Sequence, residues 1–216
     1  MIQGNDYLSP ILEELGKRWP DNRTVNIVCH GHSVPSGYFD TPIVDTFNAY
    51  PHLLHQLIKA RYPFAVVNVI VTAIGGENAL QGAARFERDV LTHCPDVVII
   101  DYALNDRGVE GAPAAWEDMI RLAKAHGVPV ILCTPTWDTT WLEQSDYWKS
   151  LEACAQQIRV MADKHSVGLA DNFAAFEHAV KSPDDLAPLL SHWNHPSRAG
   201  HELAAAEIGK YFPVRA

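Results

Sequence analysis

The stretch Val25-Asn-Ile-Val-Cys-His-Gly-His-Ser-Val-Pro-Ser-Gly-Tyr38 decides how the chain is organised. It opens with a short apolar run of strong β preference, which predicts a buried strand. The run stops at Gly31, and Ser33 follows before Pro35 breaks any regular continuation. A serine just past the end of a strand lies at the carboxyl edge of a sheet, where open α/β sheets bind their ligands. Ser33 is therefore either a cap of the next segment or a functional side chain.

Length and composition narrow the class of protein. The 216 residues suit one domain, and 47% hydrophobic with 20% charged residues is typical of a globular chain. The formal net charge of −9 argues against nucleic acid or membrane as partner, because both need basic patches. No apolar run approaches membrane-spanning length, and the first residues lack the features of a secretory signal, so a cytoplasmic location is expected.

The four cysteines are expected to be free thiols. They lie far apart without a Cys-x-x-Cys pair, at Cys29, Cys94, Cys133 and Cys154. None of them sits at a strand-to-loop break as Ser33 does.

Strand and helix patterns alternate along the rest of the chain. Apolar runs predict strands at 25–29, 66–72, 97–102, 128–134 and 167–170. Helical periodicity predicts helices at 6–18, 46–62, 82–93, 114–126, 149–165 and 197–211. This alternation predicts one α/β domain over residues 1–216, with a central, mostly parallel sheet, helices on both faces and a lead-in helix within residues 1–20.

Polar residues follow the predicted strands and meet at one edge of the sheet. Ser33, Gly76 and Asn105 follow the first, second and third strands, and His195 precedes the last helix. They supply a nucleophile, a backbone donor, an amide donor and a base, which are the parts of an acyl-transfer site. Each residue alone could equally belong to a turn or a helix cap.

Four short blocks, in this order, resemble those of the SGNH hydrolases, also called the GDSL esterase and lipase family. The blocks are Gly31-His32-Ser33, Ile74-Gly75-Gly76-Glu77, Ala103-Leu104-Asn105-Asp106 and His195-Pro196. The resemblance implies the three-layer α/β/α, flavodoxin-like fold of that family. It also implies a carboxylic ester hydrolase that uses a serine nucleophile and no cofactor or metal.

The resemblance assigns a role to each residue of the site. Ser33 would attack the ester carbonyl while His195 takes its proton, a task that suits an imidazole with an unperturbed pKa of ~6.5. The N–H groups of Ser33 and Gly76 and the side-chain amide of Asn105 would hold the developing oxyanion.

The chain departs from the family at two positions. His32 replaces the aspartate of the first block, and His192 stands where the family has the aspartate that orients the catalytic histidine. His192 is a candidate orienting residue, although an imidazole is a poor partner for a second, charged imidazole. We expect instead that a backbone carbonyl near His192 or Trp193 orients His195, with lower activity than a full triad gives.

A tryptophan-rich segment between residues 135 and 148 bears on the substrate. It follows the fourth strand, so Trp137 and Trp141, with Tyr38 from the first loop, are candidates to stack on a sugar or to line an acyl pocket. The chain has no long apolar cap, which favours short acyl groups. The expected substrate is a small acetyl ester, carried on a carbohydrate.

Two other functions stay open. His30, His32, His192 and His195 could form the site of a metal-dependent hydrolase, since residues two apart on a strand face the same side. Alternatively, the missing carboxylate marks a catalytically weak, carbohydrate-binding relative. Activity lost on chelation would favour the first function, and failure of a serine-reactive phosphonate to label the chain would favour the second. The sequence does not indicate an oligomeric state.

Overall fold

The computed structural model describes residues 7–214, which build one five-stranded sheet. The strands are β1 (Thr24–Gly31), β2 (Val66–Val71), β3 (Val97–Asp101), β4 (Val130–Cys133) and β5 (Gly168–Ala170). All neighbouring strands are parallel, in the order β2-β1-β3-β4-β5. The predicted parallel α/β architecture is confirmed.

Helices cover both faces of the sheet. They are α1 (Ser9–Gly16), α2 (Ser33–Ser36), α3 (Tyr50–Arg61), α4 (Ala79–Asp89), α5 (Ala112–Ala125), α6 (Asp146–His165), α7 (Asn172–Ala179), α8 (Pro183–Leu186) and α9 (Arg198–Gly209). Helices α3 and α9 pack together on one face, and α4 and α5 on the other. The result is the three-layer arrangement that the resemblance implied.

Some element boundaries differ from the prediction. Helix α3 begins at Tyr50 because Pro51 occupies its first turn, and residues 46–48 form a separate 3₁₀ turn. The short helices α2, α7 and α8 were not predicted. The lead-in helix is present as α1, and the part of that prediction on residues 1–6 lies outside the described residues.

Each face of the sheet has its own apolar core. In β3, Val97 and Ile99 join the core under α3 and α9, whereas Val98 and Ile100 join the core under α4 and α5. All four are 0% exposed. Burial on both faces explains why these strands read as continuous apolar runs. Burial of each such side chain stabilises the folded state by about 1.5–3 kcal/mol, so the sheet holds the loops at its edge in place.

The nucleophile loop leaves the sheet through a very close contact at Gly31. A Cβ atom at Gly31 would lie 2.3 Å from the carbonyl oxygen of Asp101 and 2.7 Å from Cγ of Pro35, so only glycine fits. Helix α2 begins two residues later, with Ser33 as its first residue.

The cysteines are free, with Cys29 and Cys133 buried, Cys94 exposed and Cys154 half-buried. In the part of the chain from residue 7 to residue 214, none of the helices combines the length and the apolar character needed to cross a bilayer.

Candidate active site

Ser33 and His195 meet at the carboxyl edge of the sheet. The hydroxyl of Ser33 donates to Nε2 of His195 over 3.0 Å. Both residues are only 7% exposed, so the contact is largely withdrawn from water. A hydroxyl and an imidazole nitrogen at this distance can act as nucleophile and base in acyl transfer.

A backbone carbonyl holds the other ring nitrogen of His195. Nδ1–H donates to the carbonyl oxygen of Phe39 over 2.8 Å. We assign the ring proton to Nδ1 from this contact, which leaves Nε2 free to accept the proton of Ser33.

The orienting carbonyl is of the expected kind but comes from a different part of the chain. The carbonyl of Trp193, one of the expected positions, instead accepts the N–H of Thr139 over 2.8 Å. The Phe39 carbonyl reaches His195 because the loop after α2 folds back, with the N–H of Phe39 donating to the carbonyl of Ile43 over 3.1 Å.

His192 stands beside His195 without holding its ring. The two ring centroids are 6.1 Å apart, and His192 is exposed. Among residues 7–214, no side-chain hydrogen bond joins the two rings. The position that carries an aspartate in the family is thus filled by a side chain at the rim of the site.

Burial lowers the pKa of His195, and the positive charges that His32 and His192 can carry act in the same direction. The hydrogen bond to the Phe39 carbonyl opposes this shift. A lowered pKa keeps the imidazole neutral, and hence able to act as a base, at lower pH.

We expect the acid limb of the kcat/KM profile to lie below pH ~6.5, the ordinary value for histidine. His195 must be neutral to accept the proton of Ser33, so activity is lost only as the pH falls through the lowered pKa. A pH titration of kcat/KM with a soluble acetate ester measures the midpoint. A midpoint above the ordinary value would contradict the burial argument.

Gly76 and Asn105 line the same cleft as His195. Gly76 adopts φ +82°, a conformation that glycine alone adopts without strain. One N–H of the Asn105 amide donates to the carbonyl of Glu77 over 2.9 Å, and the second remains for a ligand. Within the described residues, the backbone N–H groups of Ser33 and Gly76 make no hydrogen bond. These three donors line one cleft and are available to a ligand in it.

A partly buried salt bridge between Arg85 and Glu77 fixes the loop that carries Gly76. Nε of Arg85 lies 2.9 Å from the carboxylate of Glu77, and its guanidinium also donates to the carbonyl of Thr72 over 2.6 Å. Because Glu77 also accepts from Asn105, the loops after β2 and β3 are tied together.

Asp106 is a residue whose role the sequence reading missed. It is 7% exposed, and its carboxylate accepts the N–H of Ala79 over 2.9 Å and Nε1–H of Trp116 over 2.7 Å. These contacts anchor the turn after β3 to α4 and α5. Asp106 therefore positions its neighbour Asn105.

The site opens into a cleft of ≈ 390 Å³. Its lining consists of Ser33, Tyr38, Thr41, Gly75, Gly76, Asn105, His192, Trp193, Asn194 and His195. The predicted nucleophile, base, oxyanion donors and Tyr38 are thus brought together. Trp193, 43% exposed, was not predicted here, although its place two residues before His195 was an available signal.

Trp137 and Trp141, which were predicted to contact the substrate, do not line this cleft. Trp137 is 4% exposed and packs against Trp148 and Phe173 with ring centroids 5.0 and 5.5 Å away. Trp141 covers Trp137 at 5.3 Å. Both tryptophans pack against the core, because burying their large aromatic surfaces is more favourable than leaving them exposed at the rim of the cleft.

The four histidines of the alternative metal site do not converge. Both ring nitrogens of His30 already have hydrogen-bond partners, Nδ1 with Oγ1 of Thr72 at 2.9 Å and Nε2 with the carbonyl of Gly82 at 3.1 Å. His32 accepts the N–H of Val34 over 3.2 Å. In the stretch from 7 to 214, no group of three or more His, Cys, Asp or Glu residues is arranged to hold an ion. The predicted ligand set is not formed.

Comparison with known proteins gives consistent matches. The model of the GDSL-like lipase/acylhydrolase family matches residues 29–203. An acetylxylan esterase from Geobacillus stearothermophilus is 26% identical over 165 residues, covering 69% of this chain and 74% of the relative.

Solved structures share the fold. Axe2, an acetylxylan esterase from Geobacillus stearothermophilus, superposes with a TM-score of 0.74 at 21% identity, over 87% of this chain and 94% of that chain. A catalytic mutant of Axe2 in which an aspartate is replaced by alanine gives a TM-score of 0.76 at 22% identity, over 89% and 97%. The three-layer fold with its parallel sheet is the SGNH hydrolase fold of these structures.

Proposed function

The chain belongs to the GDSL-like lipase/acylhydrolase family, and on this premise we propose that it removes acetyl groups from carbohydrates through an acyl-enzyme on Ser33. Family membership makes it a carboxylic ester hydrolase. The acetyl group and the carbohydrate are suggested by its acetylxylan esterase relatives. The observation that carries the proposal is the 3.0 Å contact between Ser33 Oγ and His195 Nε2 in the cleft.

The mechanism follows from the contacts of the two residues. Ser33 Oγ bonds to the ester carbonyl carbon while Nε2 of His195 takes its proton. The carbonyl oxygen becomes an oxyanion, held by the N–H groups of Ser33 and Gly76 and the amide of Asn105. When the C–O bond to the alcohol breaks, the imidazolium returns the proton to the leaving alcohol. Water then attacks the acetyl-serine by the same steps, and acetate leaves.

The Phe39 carbonyl takes the place of a triad carboxylate in this mechanism. It fixes the tautomer and orientation of His195 at 2.8 Å, but it brings a dipole and no negative charge to the imidazolium. In Axe2, alanine replacements of a serine, an aspartate and a histidine are described as catalytic mutants. A dyad supported by a carbonyl is expected to be slower than such a triad.

Aromatic side chains at the rim suit a sugar. The ring centroid of Tyr38 lies 6.1 Å from that of His195, and the half-exposed Trp193 stands on the same loop as the base. Because His195 protonates the leaving alcohol, groups on its side of the cleft face the alcohol part of the ester. A sugar ring can stack there on an aromatic face.

Replacement of His192 by alanine is expected to lower kcat less than about tenfold, against the roughly 10⁴-fold loss when a triad carboxylate is neutralised. The main chain, including the Phe39 carbonyl that orients His195, survives the substitution. Steady-state kinetics on an acetate ester measure the effect.

The matched control for this variant is His178→Ala, since His178 is exposed on α7 and remote from the cleft. A loss near 10⁴-fold in a folded His192→Ala protein would mean that the His192 side chain is the third catalytic group. His192→Asp would then be expected to restore activity.

The experiment that tests the function is a substrate series. We expect hydrolysis of p-nitrophenyl acetate and of acetylated xylo-oligosaccharides, with rates that fall as the acyl chain of the nitrophenyl ester lengthens. The Ser33→Ala variant gives the background rate of ester hydrolysis that does not depend on the Ser33 hydroxyl. A protein that binds the sugar but releases no acetate, and that a phosphonate does not label, would instead be a binding relative.

A further inference from the structure

We propose that His32 and Asp101 form a pair that positions Ser33, an inference that rests on the proposed role of Ser33 as nucleophile. Both residues are buried, at 1% and 3% exposure, and the acyl-transfer steps above use neither. They lie directly behind the nucleophile, because His32 precedes it and Asp101 ends the strand β3 that pairs with β1.

The contacts of His32 assign its proton. Nδ1 accepts the N–H of Val34 over 3.2 Å and therefore carries a lone pair. The proton then resides on Nε2, which lies 3.5 Å from Oδ1 of Asp101. Among residues 7–214, Nε2 makes no hydrogen bond, so Asp101 acts on it at ion-pair rather than hydrogen-bond distance. The Asp101 carboxylate is thus the group that favours this tautomer.

This tautomer orders the start of α2. Nδ1 caps the first turn of the helix through Val34 and lies 3.5 Å from Oγ of Ser33. In the other tautomer an N–H would face the N–H of Val34, and the turn would lose its cap. Since a displacement of ~1 Å at a reacting group can cost about 10²-fold in rate, the cap bears directly on kcat.

The pair also explains the unusual first block of this chain. The family has an aspartate where this chain has His32. An aspartate could itself accept the N–H of Val34, but here it would stand beside the buried carboxylate of Asp101, and two buried like charges repel. Histidine at 32 and aspartate at 101 are therefore a matched set. An aspartate at 32 would require a neutral residue at 101.

The test is a double-mutant cycle of His32→Asp and Asp101→Asn. For each variant, kcat and KM are measured with p-nitrophenyl acetate, and the melting temperature is measured on the protein alone. His32→Asp is expected to lower kcat by about tenfold or more with KM unchanged. Asp101→Asn should stay within about threefold of wild type, because its amide oxygen still presents a partial negative charge and an acceptor to Nε2–H. The double variant, in which one carboxylate has moved to position 32, should recover to within about threefold.

Asp101→Leu tests the acceptor directly and does not depend on the folding of His32→Asp. Leucine branches at Cγ as asparagine does but is larger and accepts no hydrogen bond, so kcat should fall about tenfold relative to Asp101→Asn, while the melting temperature reports the cost of the added volume. The exposed His178→Ala serves as the unaffected control.

Wild-type kcat in His32→Asp, no rescue by Asp101→Asn, or equal kcat for the leucine and asparagine variants would each overturn the pairing. Those outcomes differ from failure of the proposed function, in which the wild type itself would hydrolyse no ester or Ser33→Ala would remain active.

Discussion

Ser33→Ala is expected to lower kcat for acetate ester hydrolysis by about 10⁴- to 10⁶-fold. The substitution removes the atom that bonds to the carbonyl carbon, so no acyl-enzyme can form. The oxyanion donors and the cleft remain, and they account for any residual rate above that in water. Stopped assays with p-nitrophenyl acetate at high enzyme concentration can measure rates as low as this loss predicts.

The fold is expected to survive this change. Among residues 7–214, the hydroxyl of Ser33 has hydrogen-bond contacts with the rings of His195 and His32, at 3.0 and 3.5 Å, and bonds to no backbone group. Melting temperature and circular dichroism should match those of wild type. Ser150→Ala is the matched control, because the Ser150 hydroxyl bonds to the carbonyl of Tyr147 on the exposed side of α6.

A second readout identifies the nucleophile without relying on turnover. A serine-reactive phosphonate should add once per chain, and peptide mass spectrometry should place the adduct on Ser33. Full activity in a folded Ser33→Ala protein, or labelling at another serine, would remove the serine from the mechanism.

The parts of this site that sequence could predict are those with a local signal. Ser33, Gly76 and Asn105 each follow a buried apolar run, and parallel strands bring such positions to one edge without further information. Their convergence in one cleft depended only on strand order. The strand runs themselves were readable because the sheet is covered on both faces.

The parts that escaped prediction depend on tertiary contacts. The carbonyl of Phe39 has no sequence signal, because every residue has a carbonyl and only the path of the loop selects one. The sequence also could not predict which tryptophans are buried and which line the cleft, since Trp137 and Trp193 both lie near strand-end loops. One is buried at 4% exposure and the other is at the rim at 43%, a difference that the packing of α6 and α7 decides.

Asn105→Ala is expected to lower kcat by about 10²- to 10³-fold while KM changes little. The amide of Asn105 strengthens its hydrogen bond as the carbonyl oxygen becomes an oxyanion, so its loss affects the transition state far more than the bound ester. Asn68→Ala on the exposed edge of the sheet is the matched control, because Asn68 bonds only to Asn26 among the described side chains.

The same amide also donates to the carbonyl of Glu77 over 2.9 Å, so the variant has a structural effect to separate from the chemical one. Loss of that bond loosens the loop that carries Gly76, which Arg85 still holds through its salt bridge to Glu77. Asn105→Asp keeps the shape but replaces the donor with a carboxylate that repels the oxyanion. We therefore expect it to be at least as slow as Asn105→Ala. A rise in KM with kcat unchanged would place Asn105 in ground-state binding of the substrate and leave the oxyanion to the two backbone donors alone.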